Sequence, residues 1–170
     1  MKKSLGFSLV ECMLTLVIST ILISVGVPQF QSIDEYFRTD SSIRKVQQTF
    51  QLARNHAISY SSRVTVCPIK EGKCSKDWTI GLTIFTDLGE SNQIDGTDTI
   101  IFNTAPFDSR DFITYNRLAV RFQPTGLASG TNGTLRYCPS TLDNQHSQAL
   151  IVNQAGRVRF STKKVITCDN

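Results

Sequence analysis

The sequence predicts an α+β protein: a long N-terminal helix, membrane-spanning in its first half, packed on an antiparallel β head. Three observations carry this. Residues 7–27 form an apolar run with one charge, Glu11. After Pro28 the apolar residues recur at helical spacing. From Arg63 onward the period shifts toward two, with turn residues between short apolar segments.

The apolar run is twenty-one residues long, and as a helix it spans roughly 30 Å, enough for a bilayer core. Lys2 and Lys3 precede it and hold the leader on the cytoplasmic side. Beyond it Ile43, Val46, Phe50, Ala53 and Ala57 fall on one helix face, and Phe30, Ile33 and Phe37 lead into the same stripe. Pro28 removes one backbone hydrogen bond, which predicts a bend rather than a stop. A single helix from residue 8 to residue 60 follows, about 80 Å long. Val, Ile, Thr and aromatic residues mark strands at 63–67, 78–85, 99–103, 118–123, 133–138, 149–152 and 158–161. Turn signals separate them at Glu71-Gly72, Asp95-Gly96, Pro124-Thr125-Gly126 and Ser129-Gly130.

The chain has 170 residues and a net charge of +4, too mild to announce a nucleic-acid binder. The charge is unevenly spread. Residues 68–111 carry four basic against eight acidic side chains, and residues 112–170 carry seven basic against two acidic. Cys12 lies inside the apolar run, apart from Cys67, Cys74, Cys138 and Cys168. An even set of cysteines in an exported domain points to disulfides. Four cysteines allow three pairings, and sequence alone does not choose. The favoured pairing is Cys67–Cys74, which closes a short loop, with Cys138–Cys168, which pins the C-terminus.

A secretory signal peptide has a shorter apolar region ending at small residues; here the run is longer and Ser24-Val25-Gly26 matches poorly. A plain membrane anchor accounts for the length but not for Glu11, because a carboxylate in a spanning helix is costly without a partner. The segment Gly6-Phe7-Ser8-Leu9-Val10-Glu11 resembles the class III signal of type IV pilins and type II secretion pseudopilins. The resemblance implies that prepilin peptidase cuts between Gly6 and Phe7 and methylates the new Phe7 amine. Glu11 then becomes the fifth mature residue, and Pro28 matches the family's helix-kinking proline. The chemistry agrees: in a filament, Glu11 meets the positive Phe7 amine of a neighbouring subunit, and two charges costly alone neutralise each other. The carboxylate thereby sets the register of packing.

Three segments of the head extend the resemblance: Trp78-Thr79-Ile80-Gly81-Leu82-Thr83-Ile84-Phe85-Thr86-Asp87, Val120-Arg121-Phe122-Gln123-Pro124-Thr125-Gly126, and Ile151-Val152-Asn153-Gln154-Ala155-Gly156-Arg157-Val158-Arg159. They are similar to the GspH/FimT/FimU family of pseudopilins and minor pilins. The resemblance implies a pilin-like fold divided into a leader (1–6), a transmembrane and filament-core helix (7–28), the amphipathic half of that helix (29–62) and a periplasmic head (63–170).

Enzymatic motifs are absent, so neither an enzyme nor a cofactor is expected. His56 and His146 have no catalytic partner in sequence. Asp87, Glu90, Asp95 and Asp98 cluster between two strands but do not fit a calcium-loop template; a solvated hairpin loop is expected, with no metal. In a strand, Arg157 and Arg159 project to one face. Lys163 and Lys164 follow, and Arg136 joins them if Cys138 pairs with Cys168. Such a cluster suits phosphate contacts, and Gly156-Arg157-Val158-Arg159 resembles the G-R-x-R motif of the DNA-binding FimT branch. The expected function is therefore a minor pilin or pseudopilin of the bacterial inner membrane, single-pass. It is processed by prepilin peptidase and joins other pilins to initiate or cap a type IV pilus or type II secretion pseudopilus. The alternative is capture of double-stranded DNA for natural transformation.

Overall fold

The computed structural model describes residues 8–128 and 130–168. Helix α1 (Leu9–Ser59) continues through Pro28 without interruption. Residues up to Tyr36 form one unit, and Phe37 onward form a second. In the first unit, α1 has a stretch long and apolar enough to cross a membrane, with none of it buried. In the second, Ile43, Val46, Phe50, Ala53 and Ala57 are fully buried as the stripe predicts. The lead-in residues Phe30, Ile33 and Phe37 are exposed.

Among the described residues ten antiparallel strands follow: β1 (Val64–Cys67), β2 (Ile69–Lys70), β3 (Lys73–Cys74), β4 (Thr83–Thr86), β5 (Ile100–Asn103), β6 (Phe112–Tyr115), β7 (Val120–Phe122), β8 (Gly133–Cys138), β9 (Gln148–Val152) and β10 (Val158–Phe160). One four-stranded sheet has the order β5-β4-β1-β7, and a second the order β10-β9-β8-β6. The core joins α1 to Val64, Val66, Ile84, Val120 and Phe122 of the first sheet and to Ile113, Leu135, Tyr137, Leu150 and Val152 of the second. Every residue of β1 is buried. Val64 and Val66 face the main core, Cys67 packs with Phe85 and Ala119 in a smaller cluster, and the Thr65 hydroxyl donates to Asp87 at 2.5 Å. Two covered faces explain why Val-Thr-Val-Cys lacks clean alternation.

The β2–β3 hairpin turns through Glu71 and Gly72, both at positive φ (+53° and +78°), as a tight primed turn requires. A disulfide joins Cys67 to Cys74, and a second joins Cys138 to Cys168.

Two strand expectations need correction. Residues 78–85 are not one strand. Asp77 caps a 3₁₀ turn at Trp78–Ile80, and Gly81 follows at φ +101°. That turn drives the indole into the core, where Trp78 meets Phe50 edge-on at 6.5 Å and Tyr115 at 5.0 Å. The strand begins only at Thr83. The other correction is that β2, β3 and β6 lie outside the expected strands: β2 and β3 have two residues each, and β6 (Phe-Ile-Thr-Tyr) has strand composition but follows polar Asp108-Ser109-Arg110-Asp111.

Candidate functional site: the anchor segment and the basic turn

Gly6 and Phe7 lie outside the described residues. Ser8 stands at the start of α1, where its Oγ accepts from the Glu11 N–H at 3.2 Å. Ser8-Leu9-Val10-Glu11 is thus half of a capping box, a Ser-x-x-Glu signal that the sequence reading overlooked. The carboxylate of Glu11 is exposed and sits in the first turn, where the helix dipole favours negative charge. The hydroxyls of the anchor are satisfied locally. Thr15 donates to the Cys12 carbonyl at 2.9 Å, Ser19 to Thr15 at 2.7 Å, Thr20 to Val17 at 2.8 Å and Ser24 to Ile21 at 2.9 Å. Such back-bonding removes the cost of placing hydroxyls in hydrocarbon. Glu11 is the one acidic or basic residue of the anchor run.

The basic candidates divide into two places. Arg136 lies opposite Ala149, Thr134 opposite Ile151, and Ile151 opposite Arg159. Cross-strand partners share a face, so Arg136 and Arg159 lie on the same outer face of the second sheet. Arg136 and Lys163 line a pocket of about 170 Å³ with Thr134, Ser161 and Thr167. Lys164 is exposed in the following segment. Arg157 sits elsewhere. It precedes β10, in a turn where its N–H donates to the Asn153 side chain at 2.8 Å, so strand alternation does not set its direction as expected. It lines a pocket of about 270 Å³ with Gln51, Arg54 and Asn55 of α1. Among the described residues no carboxylate forms an ion pair with Arg136, Arg157, Arg159, Lys163 or Lys164.

Other arginines are committed internally. Arg38 meets the buried Asp111 carboxylate through its Nε at 3.0 Å, and Asp111 also accepts from the Tyr137 hydroxyl. Burial first, then this bond to Asp111, raises the Tyr137 phenol above its ordinary range. Asp87 is buried, not solvated as expected for its loop, and Arg121 Nε donates to it at 3.0 Å. Asp95 and Asp98 accept backbone N–H groups of their own loop: Glu90 and Thr97 donate to Asp95, and Leu88 to Asp98. The Thr97 hydroxyl, followed by these amides, holds the Asp95 carboxyl below the usual range.

The turn that presents Arg157 is built by a glycine pair. Gly156 has φ +73°, and a Cβ there would stand 1.9 Å from the Gly126 carbonyl oxygen. Gly126, at φ +78°, abuts Ile58. Arg54 bridges both turns, with Nε donating to Gly126 O and Nη2 to Ala155 O, each at 3.1 Å. Sequence reasoning missed Arg54, which the fold brings to these turns from 72 and 101 residues away.

A long N-terminal helix with an antiparallel β head, and an N-terminal apolar run with its first-turn acid, define the pilin class of protein. Two solved structures share the fold: the type IV minor pilin FimU of Pseudomonas aeruginosa strain PAO1 in two crystal forms. Both are 20% identical to this chain, with TM-scores of 0.64 and 0.60, covering 81% and 76% of this chain and 99% of each solved FimU chain. Residues 1–27 match the prokaryotic N-terminal methylation motif, and residues 42–156 match the family described as type II transport protein GspH. No match was found among curated proteins. The chain belongs to the GspH family and carries an N-terminal methylation motif of the prepilin kind.

Proposed function

We propose that this chain is a single-pass inner-membrane minor pilin that is cleaved between Gly6 and Phe7, methylated on Phe7, and extracted into a pilus or pseudopilus, where it helps to initiate or cap assembly. Residues 1–6 are the leader, 7–28 the membrane and filament-core helix, 29–62 its amphipathic half and 63–170 the periplasmic head. The partners are prepilin peptidase and other pilins. The observation that carries this reading is the exposed apolar face of α1 with one carboxylate in its first turn, next to a matched N-terminal methylation motif. In the membrane Glu11 is a liability, and against a neighbour's Phe7 amine it is paired. Pro28, inside the unbroken helix, would sit in the same packing. The test is Glu11→Val: the variant should still insert into the membrane and be cleaved, but its recovery in sheared filaments should fall at least about tenfold, the scale of one lost charge-assisted contact. Wild-type recovery would overturn the pairing.

A second reading, capture of double-stranded DNA, is favoured by a specific observation: Arg136, Arg157, Arg159, Lys163 and Lys164 have no described carboxylate partner, while Arg38, Arg63 and Arg121 do. Uncompensated cations on one head suit a polyanion. Full-length protein in detergent should retard a labelled duplex at low salt, and Arg136→Ala with Arg159→Ala should weaken the complex.

A further inference from the structure

The pocket between α1 and the Gly156 turn has features that packing alone does not require. Arg54 is half-buried and held at two carbonyls, Gly126 O and Ala155 O. A guanidinium has about five N–H donors in a rigid fork, so these two bonds leave donors over. No described carboxylate neutralises the charge. Gln51 stands one turn before both Arg54 and Asn55, at the i,i+3 and i,i+4 spacings that bring side chains together, and Arg157 lines the same pocket. The opposing wall is a turn whose glycine lets two backbones approach closely. Arg54 is thus a preorganised cation, with neutral amide donors beside it and a second, exposed cation across it.

We propose that this pocket seats a backbone phosphate of duplex DNA, with Arg54 as the fixed cation, Arg157 as the reaching one, and Gln51 and Asn55 as neutral donors. The inference rests on the DNA-capture reading and deepens it, because it places a contact on the helix, away from the outer face that carries Arg136 and Arg159. Planar fork geometry matches a phosphate oxygen pair, and fixing the fork in advance lowers the ordering cost of binding. The contact is sequence-independent and salt-sensitive.

The experiment measures binding of a labelled 30-base-pair duplex to the full chain in detergent across a salt series. Arg54→Ala would also loosen both turns, so the informative variant is Gln51→Glu. This exposed position places a carboxylate one turn before Arg54, and Gln51 makes neither of the bonds that hold Arg54 to Gly126 O and Ala155 O. Affinity should fall about tenfold and the salt slope by about one, the signature of one lost phosphate contact. Gln145→Glu, the same charge change in the loop between β8 and β9, should leave binding near wild type. Equal loss in both variants, or none in Gln51→Glu while Arg136→Ala with Arg159→Ala still weakens the complex, overturns the phosphate seat and leaves DNA capture standing. No retardation of the duplex by wild type at low salt overturns both.

Discussion

At Gly156 a positive φ and the nearby Gly126 carbonyl together leave no room for a side chain. Gly156→Ala should lower stability by about 2–4 kcal/mol, combining a strained left-handed residue with a backbone clash. A thermal unfolding midpoint on detergent-solubilised protein checks this, and an unchanged midpoint would contradict the close approach. The two buried phenols make a second prediction at this scale. Burial raises both Tyr115 and Tyr137 above the ordinary 10.0, and for Tyr137 the bond to Asp111 adds to it. The unfolded chain loses these protons near pH 10 while the folded chain keeps them. Their contribution to stability is therefore fully present below about pH 10 and is lost as pH rises above it. Lysine titration overlaps this range, so the measurement compares the wild type with Tyr115→Phe between pH 9 and pH 12; the variant should show the shallower alkaline decline.

The elements were legible where the signal is local. The stripe from Ile43 to Ala57 and the strand at Gly133–Cys138 follow from residue spacing, because an amphipathic period is written in neighbours. Residues 78–85 misled for the opposite reason. Trp78, Ile80 and Leu82 have strand-like composition, but Trp78 reaches the core only through a turn that Asp77 caps and Gly81 releases. Tertiary packing overrode β propensity there. The site divides in the same way. The leader and Glu11 are contiguous and could be read directly, whereas the Arg54 bridge depends on chain segments far apart in sequence. The disulfides belong to this scale as well. Cys138–Cys168 closes a separation of 30 residues and ties down the C-terminal segment, while Cys67–Cys74 spans 7. In the chain-entropy model the longer loop stabilises by about 3.6 kcal/mol and the shorter by about 2.4 kcal/mol. Denaturant unfolding of the two paired Cys→Ser variants should rank them in that order. The reverse ranking would mean that effects on the folded state outweigh loop length.

For the whole molecule, the head and the anchor answer to different solvents. The head buries its own core and satisfies Asp87 and Asp111 internally. The anchor presents apolar side chains outward and closes its hydroxyls onto its own carbonyls. Among the described residues Glu11 has no charge partner, and the account rests on a new amino terminus supplying one. Mass spectrometry of the protein isolated from the membrane measures this directly. The account predicts a chain that begins at Phe7 and carries one methyl group on its α-amine. An intact Met1, or a start at any other residue, would contradict it.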